Sequence, residues 1–315
     1  MNRQTTNRVL MVRPVRFAFN EETAANNAFQ QKSRSEAEAR CVQQQAVAEF
    51  DAYVALLRQN GVMVDVLQDT PEPFTPDSIF PNNCFSTHVA EGDPLPADGE
   101  KPVLVLYPMF APNRRRERGK LLKMLRADDY SRIVDLTSWE EPGLFLEGTG
   151  SLILDREHRL AYACRSPRTC EPVLARWADA LGYDYFLFDS TDAQGMPVYH
   201  TNVVMHVGTR FAVVCLDSVS NPSQRSRLVA LLEQNGKEIV DITLEQMNQF
   251  AGNMLELRST DGRKLLVMSQ TALHSLSPRQ LARLQEDVSI VAPDISAIET
   301  AGGGSARCML AELFA

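Results

Sequence analysis

The chain has 315 residues, 44% of them hydrophobic and 23% charged, and a formal charge of -8. That composition excludes disorder and describes a globular protein able to enclose a core. The acidic balance, with no basic stretch longer than Arg114-Arg115-Arg116, argues against nucleic acid as a partner. No apolar run approaches the roughly 20 residues that cross a bilayer. In chain order, a first strand is predicted over residues 9–15, then an amphipathic helical face at 54–61 running into a β-rich stretch at 62–67. A strand at 103–107 follows. Arg114 to Lys120 reads as the solvated first turns of a helix, and a second helix-to-strand unit covers 120–126 and 132–136. Strands at 151–154 and 160–164 precede a third unit, 173–182 into 183–188. Strands at 198–207 and 211–216 precede a fourth, 228–236 into 238–242. Strands at 254–258 and 264–269 precede a fifth, 280–285 into 288–291.

Five helix-to-strand units, the later ones roughly 50 to 55 residues apart, are a repeat signature. Each reads as a small α/β blade. Closing five blades in a ring would protect the strand edges and bring residues from every blade to one axis. A doubly wound open sheet is the alternative, but no Gly-x-Gly-x-x-Gly follows a strand. No linker divides the chain, so residues 1–315 are read as one domain.

Near the C-terminus, Gly302-Gly303-Gly304-Ser305-Ala306-Arg307-Cys308-Met309 delivers a cysteine after three glycines. Glycines permit unusual backbone and close approach of a substrate, so Cys308 is either a presented nucleophile or a packed small hydrophobe. His200-Thr201-Asn202, read as part of the 198–207 strand, would place His200 and Asn202 on one face about 7 Å apart. Glu147 sits after an apolar run and between small residues in Leu146-Glu147-Gly148. A carboxylate buried there needs a partner, and a histidine is one. Cys308, His200 and Glu147 together make a set for thiol chemistry: thiolate, proton carrier, and orienting carboxylate. Six cysteines without CxxC or metal-ligand spacing indicate neither a disulfide framework nor a zinc site. Reduced thiols and the lack of a signal-peptide core predict a cytoplasmic protein.

Four motifs resemble the pentein superfamily, the five-bladed α/β propellers that include arginine deiminase, dimethylargininase, agmatine deiminase and the amidinotransferases. They are Asp77-Ser78-Ile79-Phe80-Pro81-Asn82-Asn83, Phe145-Leu146-Glu147-Gly148, His200-Thr201-Asn202 and the run from Gly302 to Met309. The resemblance implies Cys308 as nucleophile, His200 as acid/base and Glu147 as its partner, with no cofactor and no metal. It places Asp77, Phe80, Asn83 and Asn202 around the substrate and gives Arg168 to the α-carboxylate of an amino-acid substrate, which a guanidinium fork meets bidentately. Arg307 is left between a carboxylate-binding or thiol-activating role and a surface ion pair.

Where guanidine-handling members carry two aspartates that grip a guanidinium, this chain has Asn83 and Asn202. Two amides suit a neutral ureido group better than a cation. Together with Arg13-Pro14 and the segment Phe19 to Gln30, expected as a loop over the site, this resembles the citrulline-utilisation hydrolases, whose implied reaction converts citrulline to ornithine, ammonia and carbon dioxide. A guanidine hydrolase in which Asp77 or another carboxylate replaces the missing pair, an amidinotransferase and a non-catalytic binding propeller are the alternatives. Whether the chain forms a homodimer stays open.

Overall fold

The computed structural model describes residues 4–24, 27, 29–89 and 101–314. Ala25, Asn26 and Ala28 of the expected N-terminal loop lie outside these. Among the described residues no helix is long and apolar enough to cross a membrane.

The strands are β1 (Arg8–Arg13), β2 (Met63–Gln68), β3 (Phe85–His88), β4 (Val103–Leu106), β5 (Arg132–Asp135), β6 (Ile153–Asp155), β7 (Leu160–Cys164) and β8 (Asp184–Phe188). They continue with β9 (Met205–Val207), β10 (Phe211–Val214), β11 (Glu238–Asp241), β12 (Leu255–Arg258), β13 (Lys264–Val267), β14 (Ser289–Val291) and β15 (Ala311–Glu312). They form five three-stranded sheets, β3-β4-β5, β6-β7-β8, β9-β10-β11, β12-β13-β14 and β15-β1-β2. In each, the middle strand pairs antiparallel with the first and parallel with the third. The parallel pair requires a crossover, and that crossover is the helix-to-strand unit legible in the sequence. One repeat is split across the termini: β15 from the C-terminal end completes the sheet begun by β1.

Helix Glu171–Leu181 illustrates why the crossovers form. Pro172 opens it, Val173, Leu174, Trp177, Ala178 and Leu181 make one buried face, and Gly182 closes it in a left-handed conformation (φ 67°). That face packs on Val105, Tyr107, Leu154, Ala161 and Ala163, joining the β4 sheet to the β7 sheet.

Two expectations fail. The predicted 198–207 strand is strand only at β9; His200 is extended (φ -135°, ψ 141°) and leads into a helical turn, Thr201–Val204. The β-branched run misled because it is buried on all sides. Thr201 Oγ1 donates to the Ser151 carbonyl at 2.6 Å and accepts from the Cys164 amide at 2.8 Å, and these contacts override strand propensity. His200 and Asn202 are therefore not alternate residues of one strand.

The Arg114–Lys120 run is also not solvated: Arg114, Glu117 and Lys120 are 2%, 1% and 6% exposed. Arg114 Nε donates to Glu117 at 3.0 Å, and Lys120 Nζ donates to Asp69 at 2.7 Å. Buried charges of this kind persist only when paired.

Thr201 positions His200 by bridging two sheets. Thr201→Val, isosteric but without the hydroxyl, leaves a buried carbonyl and a buried amide unpaired and should lower stability to chemical denaturation by about 2–4 kcal/mol. A loss below about 0.5 kcal/mol, the range of an ordinary surface change, would contradict this role.

Candidate active site

Each sheet is entered by a turn just before its first strand, and these turns carry the site. Asn82 and Asn83 precede β3, Glu147 precedes β6, His200 and Asn202 precede β9, and Cys308 precedes β15. All are buried, Cys308 being 4% exposed. Fivefold repetition thus brings together residues that are far apart in sequence.

Glu147 is the anchor. Its Oε2 accepts from His200 Nε2 at 2.8 Å and faces Arg168 Nη1 at 3.5 Å, while Oε1 accepts the Phe110 amide at 2.9 Å. Burial alone would push its carboxyl up; the Arg168 charge, the His200 hydrogen bond and the more distant Arg114 charge overcome that and hold it at about 2. Burial also lowers His200, to about 4, against the pull of Glu147. At neutral pH the pair is therefore a carboxylate and a neutral imidazole. An ionised carboxylate only accepts, so Nε2 carries the proton and Nδ1 keeps its lone pair for chemistry.

Asn202 Nδ2 donates to Cys308 Sγ at 3.4 Å, and its Oδ1 has no protein partner. Asn83 Oδ1 accepts from Arg114 Nη1 at 2.7 Å, leaving Nδ2 unpartnered; both side-chain atoms of Asn82 are unpartnered too. A side chain at Gly150 would collide with Asn83 Nδ2 and stand 2.9 Å from His200 Nδ1, so these groups meet at one point. Asp77 Oδ2 accepts from Asn20 Nδ2 at 2.7 Å and Thr23 Oγ1 at 3.0 Å, and its Oδ1 is unpartnered.

Arg168 also donates to the Thr23 carbonyl at 3.0 Å and lies 5.0 Å from the Tyr199 ring. Arg307 is 3% exposed, so the surface ion pair is excluded; its Nη1 donates to Thr149 at 3.2 Å and Nη2 faces Glu312 at 3.6 Å. Among the described residues no three or more His, Cys, Asp or Glu side chains gather as metal ligands.

The glycine run serves packing. A side chain on Gly302 would stand 2.8 Å from the Phe80 ring, and Gly303 (φ 63°) carries a carbonyl that accepts from Tyr199 Oη at 2.7 Å and Asn27 Nδ2 at 3.3 Å. Gln30 Nε2 reaches the Gly302 carbonyl at 2.9 Å. With the contacts of Asn20 and Thr23 to Asp77, the described part of the N-terminal segment lies across the site.

Sequence reasoning missed two residues. Arg114 was hidden in a charge run, and Asn253, just before β12, touches Cys308 Sγ through Nδ2 at 3.3 Å. The pattern of a polar residue leading an apolar strand, common to Asn83, Asn202 and Asn253, could have found the second.

A repeated three-stranded α/β sheet carrying a thiol, an imidazole and a carboxylate in its entry turns is the arrangement of a pentein hydrolase, a class acting on linear carbon–nitrogen bonds. The chain belongs to the family described as "N,N dimethylarginine dimethylhydrolase, eukaryotic", whose model matches residues 13–315. No curated protein matches in sequence.

Among solved structures, the N-terminal domain of ArgZ, an arginine dihydrolase from the ornithine-ammonia cycle in cyanobacteria, bound to substrate, is similar with TM-score 0.72 and 16% identity, covering 97% of both chains. AgrE with L-arginine is similar with TM-score 0.70 and 17% identity, over 97% of this chain and 40% of that one. The chain likewise spans 40% of full-length ArgZ. A dimethylarginine hydrolase (DDAH) from Pseudomonas aeruginosa, complexed with citrulline, is similar with TM-score 0.64 and 14% identity, covering 99% and 100%.

The Glu147 carboxyl titrates near 4.5 unfolded and at about 2 folded. Its stabilisation, about 3 kcal/mol by linkage, is complete above about pH 4.5 and is lost as pH falls to 2. Glu147→Gln should cost about 3 kcal/mol at pH 7 by removing the carboxylate charge that faces Arg168 and should flatten the stability profile over that acid window. Equal acid slopes in variant and parent, measured by denaturant unfolding against pH, would contradict the assignment.

Proposed function

We propose that this single-domain enzyme is a cysteine-dependent hydrolase of the ureido group of citrulline, yielding ornithine, ammonia and carbon dioxide. The observation that carries the reading is the hydrogen-bond polarity left over in the site. Asn83 offers a free donor, its oxygen being held by Arg114, and Asn202 offers a free acceptor, its nitrogen being turned to Sγ. A ureido group has a carbonyl acceptor and N–H donors, so it satisfies both kinds. A guanidinium has donors only and would face the Asn83 N–H with another.

In the reaction, His200 Nδ1 takes the thiol proton and Cys308 Sγ attacks the ureido carbon, with Asn83 Nδ2 donating to the oxygen as charge builds there. The imidazolium, steadied by Glu147, returns the proton to the departing nitrogen as the C–N bond breaks. His200 then draws a proton from water, whose oxygen attacks the S-linked carbon and expels the thiolate. One water is added overall, and the carbamate released in the sequence decomposes to ammonia and carbon dioxide.

The comparisons lend support at the level of class. ArgZ is named as an arginine dihydrolase, and an asparagine-to-serine mutant of it is described as covalently bound to a reaction intermediate. The second reading, a guanidine hydrolase, is favoured by the family match and, within the site, by the unpartnered Asp77 Oδ1. Its weakness is that Arg114 and Arg168 already set their charge against that carboxyl.

We further propose that the five sheets close into a five-bladed propeller. Support comes from links between neighbours. Thr87 Oγ1 donates to the Glu312 carbonyl at 2.9 Å and Arg156 Nη1 to the Thr87 carbonyl at 3.4 Å. Gln4 Nε2 donates to the Leu154 and Val207 carbonyls at 2.8 and 3.1 Å. The Thr209 amide donates to Glu256 at 2.8 Å, and the Arg258 amide to the Thr6 carbonyl at 2.9 Å.

Incubation with citrulline, beside arginine, dimethylarginine and agmatine, should release ornithine and ammonia from citrulline alone, and Cys308→Ala should abolish turnover while remaining folded. Citrulline accumulating from arginine or dimethylarginine would instead favour the guanidine hydrolase.

A further inference from the structure

Four of the five turns that enter the sheets carry a residue already placed in the site: Asn83, Glu147, His200 with Asn202, and Cys308. The fifth, before β12, carries Asn253, which is fully buried. Its orientation is fixed from both ends. Oδ1 accepts the Arg307 amide at 3.1 Å and lies 3.7 Å from Cys308 Sγ, while Nδ2 is the nearer contact, donating to Cys308 Sγ at 3.3 Å and to the Asn202 carbonyl at 3.0 Å.

One amide therefore binds the sulfur, the backbone immediately before it, and the backbone of the other residue that donates to it. The turn that presents Asn253 is itself strained. Phe250, three residues upstream, adopts φ 60°, rarely tolerated by a bulky side chain, and its carbonyl accepts the Asn253 amide at 2.8 Å. Its ring packs 5.1 Å from Phe29 of the N-terminal segment.

We propose that Asn253, acting with Asn202, holds the Cys308 sulfur as the attacking anion: two side-chain amide N–H groups supply the stabilisation that water gives an exposed thiolate. The inference rests on Cys308 being the nucleophile. Burying a thiol favours its neutral form, and hydrogen bonds to the charged form are what reverse that. The other titratable or charged groups that interact with the sulfur are Tyr53 from the helix Glu36–Gln59, Tyr199 and Arg307. Burial pushes both phenols up, so they stay neutral, and the Arg307 guanidinium is engaged with Thr149 and Glu312. The amides are thus the direct donors to the sulfur.

The test is the pH dependence of iodoacetamide alkylation at Cys308, followed by intact mass, with Cys308→Ala as the blank for the other cysteines. Asn253→Asp keeps the acceptor for the Arg307 amide but turns a carboxyl oxygen to the sulfur. It should move the alkylation midpoint up by about 1–2 pH units, the equivalent of losing a hydrogen bond to a charged group. Asn253→Ser, which removes the donor without adding charge, should move it the same way by about one unit, and serves if the aspartate variant does not fold. A folded variant with lower turnover and an unmoved midpoint would overturn the proposal, leaving Asn253 a packing residue. Turnover retained by Cys308→Ala would remove the nucleophile itself, and the proposal with it.

Discussion

The structure of the site depends on one buried ionic contact, the Glu147 carboxylate between His200 and Arg168. A carboxylate with no exposure to water is tolerated only when its charge is matched and its lone pairs are occupied. Arg168 supplies the charge, and His200 and the Phe110 amide supply hydrogen bonds. The consequence for chemistry is directional: holding Nε2 as the donor leaves Nδ1 facing the point where Asn83 and His200 converge. The expected role of Arg168 as a carboxylate binder thus gains a second aspect, since the same guanidinium keeps Glu147 ionised.

The repeat explains how so small a contact can organise residues from the whole chain. Each sheet begins at a turn, so side chains from different repeats are brought into contact, as His200 with Glu147 and both Asn202 and Asn253 with Cys308. Cys308 comes from the repeat that β15 and β1 share. β15 pairs with β1, placing Cys308 three residues before a strand anchored on the N-terminal strand. The N-terminal segment after β1 crosses back over Asp77 and the glycine run.

Much of this was legible in the sequence because it rests on periodicity and on rare residue types. The helical faces at 54–61, 173–182 and 228–236 each lead to a strand as expected, and Glu147 and His200, read as partners from local context, are hydrogen-bonded. The illegible parts share a physical cause: their conformation or burial is set by distant contacts. Thr201 to Val204 has the composition of a strand and forms a turn because Ser151 and Cys164 claim the Thr201 hydroxyl. Arg114 reads as a surface residue, and is buried because Glu117, Asn83 and the Phe80 carbonyl take up its donors. β15 spans two residues, too short to show any alternation. Asn253 carries no titratable group, and its place beside Cys308 is set by contacts between residues far apart in sequence.

On the proposed reading, substrate choice turns on whether the amides at 83 and 202 meet a neutral group or a cation. The most direct measurement is the ratio of kcat/KM for citrulline to that for arginine in the wild-type enzyme and in the Asn83→Asp/Asn202→Asp double variant. The account predicts that restoring two carboxylates shifts the ratio toward arginine by about 100-fold or more, the weight of a buried cation gaining its counter-charges. A ratio that already favours arginine in the wild type, or that does not move in a folded double variant, would contradict it.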